Sequence, residues 1–324
     1  MDRRRILLIA SHAARFSVRG GVGLVFLLLS ISFGLLVAHN LMRPVEQMTR
    51  NEIERSLDTP PEVIQARVLK SLTTRAKPVV EWMLSSDDSE LAADDEEGEA
   101  RDTRRARRQP STDLAARDWT KYLLLDRPGM LSAIFLILLL GWPLVASLGA
   151  FDLYAGDIGS RQLRYQLLRA DRSSIYFGRL LGSVLTFVVV LVLLGATITI
   201  YMAVKLPVYG VGPLLAWGAY GTAALLCVSL PYVALSAWIS ASVSSGMVSL
   251  TLTSLVIGGV PLLAMLARLS HPAGDYLQYL LPWGFQTRLL HHETWQVLAA
   301  LGGLAVQATL FTWLGHRAFT RRDL

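Results

Sequence analysis

The stretch whose reading decides the fold is LPVYGVGPLLAWGAYGTAALLCVSLPYVALSAWISASVSSGMVSLTLTSLVIGGVPLLAMLA, residues 206–267, 62 residues without one Asp, Glu, Lys or Arg. A helix needs about 20 mostly apolar residues to cross a hydrocarbon core of about 30 Å, so this stretch is too long for one crossing. It divides at the small, polar run Ser240-Ala-Ser-Val-Ser-Ser-Gly246, which predicts spans over 214–236 and 248–267. Working outward, the uncharged runs predict four more spans, over 20–42, 129–151, 180–204 and 294–316. Backbone groups in lipid must be paired within their own segment unless a barrel closes, and these runs lack the alternation of barrel strands. The fold class is therefore an all-α integral membrane protein of six transmembrane helices. Arginines before the first span and Leu36-Val37-Ala38 at its end imitate a signal peptide. The charged lead of about 20 residues and an apolar run of spanning length favour a retained helix.

The charges are concentrated elsewhere. Residues 43–128 hold 15 Lys+Arg and 18 Asp+Glu, which is 33 of the 56 charges in the 324-residue chain. The mean hydropathy of +0.42 thus averages a greasy body with one charged insert. A soluble single-core enzyme is excluded, and so is a disulfide scaffold, because Cys227 is the only cysteine. The pI near 9.6 reflects arginines flanking the spans and implies no nucleic-acid partner.

Six spans put both termini on one side. That side carries 13 arginines in the termini and in the 152–179 loop, against Lys205, Arg268 and Arg288 in the short loops opposite. The positive-inside rule then predicts cytoplasmic termini and a multi-pass protein of the cell membrane, the inner or plasma membrane of a bacterium. Residues 1–19 read as a cytoplasmic interfacial helix, 268–293 as an extracytoplasmic loop and 317–324 as a cytoplasmic tail. Residues 43–128 form the long extracytoplasmic loop, with helical stretches from Pro44 to Leu84 capped at Thr59. It continues with an acidic block, Asp87 to Glu99, and a basic one, Arg101 to Arg108, read as partly disordered. Asp113 to Asp126 reads as a short helix at the membrane, with Trp119, Tyr122 and Leu123 near one face.

Several chemistries are absent from the sequence. None of the four lysines follows a glycine, so no Walker A motif exists and ATP is not hydrolysed through a P-loop of this chain. His291-His292-Glu293 lacks the His-Glu-x-x-His spacing of a zinc protease, and Asp94 to Glu97 lacks that of a calcium loop. Val243-Ser-Ser-Gly246 lacks the first glycine of a Gly-x-Ser-Gly nucleophile. No catalytic residue, cofactor-binding residue or metal ligand is assigned, and the chain is read as no enzyme. The predicted spans contain no Asp, Glu, Lys or Arg, whereas ion-coupled carriers place such groups in the bilayer. Any driving force must come from outside these helices. Ser229, Ser236, Ser249, Thr253 and Ser254 are the side chains able to line a path, or simply to bond their own helices.

The 152–179 loop is the informative segment. Leu163, Leu167 and Leu168 fall at helical spacing with Arg161, Arg164 and Arg172 off that stripe, which predicts a short helix resting on the membrane face. Asp171 or Ser173 is placed to cap the third span, and Gly178-x-x-x-Gly182 permits close helix contact there. This segment resembles the signature of permease subunits of ABC transporters of the ABC-2 type. In that family an acidic residue, a short helix, an arginine and a Gly-Lys or Gly-Arg pair lead into the third span. By that resemblance Asp157 takes the acidic position, Leu163, Arg164 and Tyr165 the helix, Arg172 the arginine, and Gly178 and Arg179 the final pair. Arg161 and Arg169 belong to the same coupling surface. The basic ending Phe319 to Leu324 and the lead Arg3 to Arg19 are similar to those of such permeases. Arg161-Gln162 stands where many members have a small pair, and Ala170-Asp171 where they have a proline. The resemblance implies an ABC ATPase subunit as partner, with ATP and Mg2+ bound there and none by this chain. It also implies a homodimer or a pairing with a second permease, membrane lipid around it, and movement of a substrate, with export the expected direction. The competing expectation is a membrane anchor or scaffold in an envelope complex, acting through the 43–128 loop.

Overall fold

The computed structural model describes residues 3–19, 22–55, 119–168, 170–205, 209–270 and 274–322. The described residues are helical apart from turns, with no strand among them. Six helices are long and apolar enough to cross a membrane. These are α2 (Val22–Arg55), α3 (Gly129–Ala150), α6 (Arg172–Lys205), α7 (Val211–Ser242), α8 (Gly246–Ser270) and α9 (Thr294–Arg321). They are accompanied by α1 (Arg3–Arg19) and by two short helices between α3 and α6, α4 (Ala155–Gly159) and α5 (Gln162–Leu167). The described part of the 268–293 loop is a series of short helical turns.

Four of the predicted spans lie inside one of these helices; the first, 20–42, begins two residues before α2, and the second, 129–151, ends one residue past α3, while most of the helices run further. Helix α6 starts at Arg172 rather than at 180, α7 continues to Ser242 and α9 to Arg321. Helix α2 carries the first span on to Arg55, so the start of the 43–128 segment is helical. The expected cap at Thr59 and the acidic and basic blocks lie outside the described residues. The break between α7 and α8 is confined to Val243–Ser245, within the small, polar run that marked it.

Burial sorts the spans into layers. In the most apolar stretch of each span, 72% of α3 and 61% of α7 is buried, against 22% of α2, α8 and α9. Helix α7 is the hub, packed against α3, α6, α8 and α9. Its seam with α6 depends on two glycines that leave no room for a Cβ. Gly195 of α6 meets Thr222, and Gly218 of α7 meets Thr199. The two threonines satisfy their hydroxyls on those same helices, to Gly218 O at 2.8 Å and Gly195 O at 2.7 Å. Small residues replace the hydrophobic effect as the reason for association, because lipid is as apolar as leucine. Three side-chain donors in the core are paired, which offsets the cost of burying them in a medium without water. The indole N–H of Trp142 donates to Ser229 at 2.6 Å, that of Trp217 to Ser132 at 2.9 Å, and Gln286 Nε2 to the Tyr232 hydroxyl at 2.8 Å.

Helices α1 and α2 follow α6 in sequence register. Gly178 abuts Ile6 and Ile9, Gly182 abuts Ala10 and Ala13, the Phe26 ring lies 4.9 Å from Phe187, and His39 Nδ1 is 3.1 Å from the Tyr201 hydroxyl. Gly178-x-x-x-Gly182 is thus the seat of the N-terminal helix. The interfacial helix expected over 1–19 packs lengthwise on the base of span three.

Candidate functional site

The 152–171 segment turns back beneath the bundle and meets the bases of five spans. The hydroxyl of Ser249, in the first turn of α8, donates to Phe151 O at 2.6 Å, where α3 ends. The Asp152 carboxylate accepts from Gly156 N at 2.7 Å and faces Gly246, so one side chain serves the start of α4 and borders the start of α8. Both Tyr154 N and Ala155 N donate to Ser240 Oγ of α7, at 2.9 and 3.0 Å. Tyr154 is fully buried, donates its hydroxyl to Tyr176 O at 2.7 Å, and stacks on the Tyr176 ring at 5.1 Å. Phe319 of α9 closes this aromatic group, 5.2 Å from Tyr154 and 5.8 Å from Tyr176. Gly159 passes so close to Ser244 O that no side chain fits between them.

Two arginines then tie helix ends together. Arg172 donates through Nη1 to Thr320 O at 2.7 Å and Arg322 O at 2.8 Å, at the end of α9. Arg322 in turn donates to Ala241 O and Val243 O, both at 3.0 Å, at the end of α7. The last carbonyls of a helix have no partner within it and carry the negative end of its dipole, so a guanidinium is the fitting donor. Ser173 Oγ lies 2.9 Å from His316 Nε2, which turns this hydroxyl toward α9. Arg179 forms an ion pair with Asp157 and donates to Leu153 O at 3.0 Å and Gln166 Oε1 at 3.1 Å.

The residues singled out by sequence therefore divide into two groups. Asp157, Arg172, Gly178 and Arg179 are turned inward, into ion pairs, helix ends and helix contacts. Leu163 is buried at 1% exposure against the Tyr154 and Tyr176 group, with Leu167 beside it. Arg161, Arg164 and Tyr165 point outward, Tyr165 at 76% exposure. Leu168 corrects the expected stripe: it is 83% exposed, and the apolar side by which α5 rests on the helix bases consists of Leu163 and Leu167. Arg161 adopts a left-handed backbone (φ 59°), which lets the chain reverse between α4 and α5 and sets the direction of α5. Arg169 lies outside the described residues. Sequence reasoning passed over Tyr154, Ser240 and the linking roles of His316 and Arg322. Aromatic residues at helix bases were the available signal; the carbonyl partners have none.

Of the proposed path residues, Ser229 bonds Leu225 O at 2.6 Å and Ser249 bonds Phe151 O, so both serve as structural links. Ser236 and Thr253 are fully buried with hydroxyls that have no partner among the described residues. No group of three or more metal-ligating side chains occurs among the described residues.

A scan of known family models finds none that matches this chain, and a search of curated proteins finds no match either.

Proposed function

We propose that this chain is the membrane-spanning subunit of an ATP-driven transporter, a permease of the ABC-2 type, powered by a separate ATPase that docks on α5. The observation that carries this reading is the two-sided character of α5. Its outer side presents Arg161, Arg164, Tyr165 and Leu168, all exposed, while its inner side is wired to the bases of the spans. A force applied to that outer side reaches α6 through Tyr154–Tyr176 and Arg179, and α7 through Ser240. The predicted spans carry no group able to couple ion movement to transport, so the energy is supplied at this surface. ATP and Mg2+ bind the partner, whose binding favours one state of the spans only by its differential affinity for that state. In this reading the surface is cytoplasmic, as the arginine distribution requires, and two six-span units, identical or not, form the pathway in the cell membrane.

Affinity purification of the tagged full chain from native membranes tests the proposal. A Walker A-containing ATPase is expected in the complex, and Arg164→Glu and Arg161→Glu are expected to reduce its recovery at least tenfold, as for reversal of a contact charge. Recovery unchanged in both variants counts against the reading. Sidedness is tested separately with Arg164→Cys in a Cys227→Ser background. Labelling by an impermeant thiol reagent added outside intact cells would place α5 on the wrong side.

A further inference from the structure

The face opposite the chain ends carries a second constellation, which the transport reading does not use. The segment 119–127 lies across it. Trp119 is 7% exposed, Leu123 fully buried, and the Trp119 indole N–H donates to Leu290 O at 3.1 Å. The Trp119 ring lies tilted by 49° against His291 at 4.6 Å, and His291 stacks on His292 at 4.4 Å. Tyr122 lies 6.1 Å from His292, and Arg127 sits over both the Tyr122 and Trp217 rings at 5.1 and 5.0 Å.

We propose that 119–127 is a strap latched onto the 287–293 turn while His291 is neutral, and that protonation of His291 releases it. The hydrogen bonding fixes the neutral form. His291 Nδ1 accepts from the backbone N–H of Glu293 at 3.0 Å, so a proton on Nδ1 would set two donors against each other. The ring is 8% exposed, which leaves a cation there little solvent. The charges around it offer small relief. On its own turn are Arg288, His292 and Glu293, and the Glu293 carboxylate already accepts from Trp295 at 2.9 Å and Gln296 at 2.8 Å. The strap contributes Lys121, Asp126 and Arg127, all exposed; α7 contributes Tyr220, whose hydroxyl donates to Leu289 O. The first turn of α9 is uncharged. Burial, and then the neighbouring His292, lower the His291 pKa from 6.5 to about 4. The stability that neutral His291 gives the latch is therefore complete above about pH 6.5 and is lost as the pH falls through about 4.

The test uses the full chain in phosphatidylcholine nanodiscs, in a Cys227→Ser background, with a spin label at Lys121→Cys on the strap. The label is expected to be restrained at pH 7, with a mobile fraction that grows as the pH falls from about 6.5 towards about 4. A label at Tyr165→Cys on the far side should stay unchanged over the same range, which separates strap release from acid unfolding. His291→Gln and His291→Phe are both expected to flatten the strap's response, whatever its mobility at pH 7, while His292→Gln retains it. A strap whose mobility does not change between pH 7 and 4, or that responds undiminished in either His291 variant, overturns the proposal.

Discussion

On the face holding both chain ends, Arg172 and Arg322 donate to four carbonyls at the ends of α9 and α7. On the opposite face, Arg127 donates to one tyrosine hydroxyl and otherwise lies over aromatic rings. The same kind of side chain thus does two different jobs. Hydrogen bonds weaken steeply below a donor angle of about 120°, so the first face fixes the relative register of its helices. Ring contacts persist over centroid separations of about 4.5–7 Å, so the second face can shift without losing its cohesion. One end is built to transmit displacement and the other to absorb it.

Five substitutions sharpen or break this contrast. The largest effect is expected from Trp119→Ala, about 3–5 kcal/mol for deleting a buried aromatic. It should appear as faster amide exchange over 119–126, with α4 and α5 unaffected; acceleration at both ends would show that the faces are not independent. Arg172→Leu should lower unfolding stability in detergent by about 2–3 kcal/mol, because it removes two charged hydrogen bonds from a partly exposed site. A double-mutant cycle with Arg322→Leu should give a coupling of about 1 kcal/mol, since the Arg322 side chain holds in place, on the end of α7, the same residue whose carbonyl accepts from Arg172; strict additivity would deny the relay. Ser240→Ala leaves Tyr154 N and Ala155 N without their acceptor and should cost about 1–3 kcal/mol, measured by the same unfolding titration. Tyr165→Ala should change stability by no more than about 0.5 kcal/mol, as an exposed substitution does, while weakening recovery of the proposed ATPase partner.

The six spans were legible because charged residues end five apolar runs, a charge within lipid being costly enough to make that boundary dependable, and because the small, polar run at 240–246 divides the longest of them in two. The lengths of the helices were not. Hydrophobicity stops at the interface, but the hydrogen-bond ladder continues, so Arg172–Arg179 and Arg317–Arg321 read as loop and tail although both are helical. The short helix at 162–167 was visible in its leucine spacing, and Leu163 and Leu167 do face inward. Leu168 was misplaced because the helix ends before it. Arg172 and Arg179 look like contact residues in sequence, since an arginine bound to a carbonyl 148 residues away leaves no local trace. On the other face, the sequence places Trp119 and Leu123 on a helix at the membrane; both are buried, Trp119 against the 287–293 turn, whose histidines read as interfacial in sequence.

The seating of α1 has a mechanical consequence. Ile6, Ile9, Ala10 and Ala13 fill the grooves that Gly178 and Gly182 leave open, so the first helix and the lower half of the third span are geared together like a rack and its pinion. Any tilt of span three must drag the N-terminal rod with it, and span one as well through Phe26–Phe187 and His39–Tyr201. A bulky residue at 182 would strip those teeth, leaving the rod to slip while span one stayed meshed with span three.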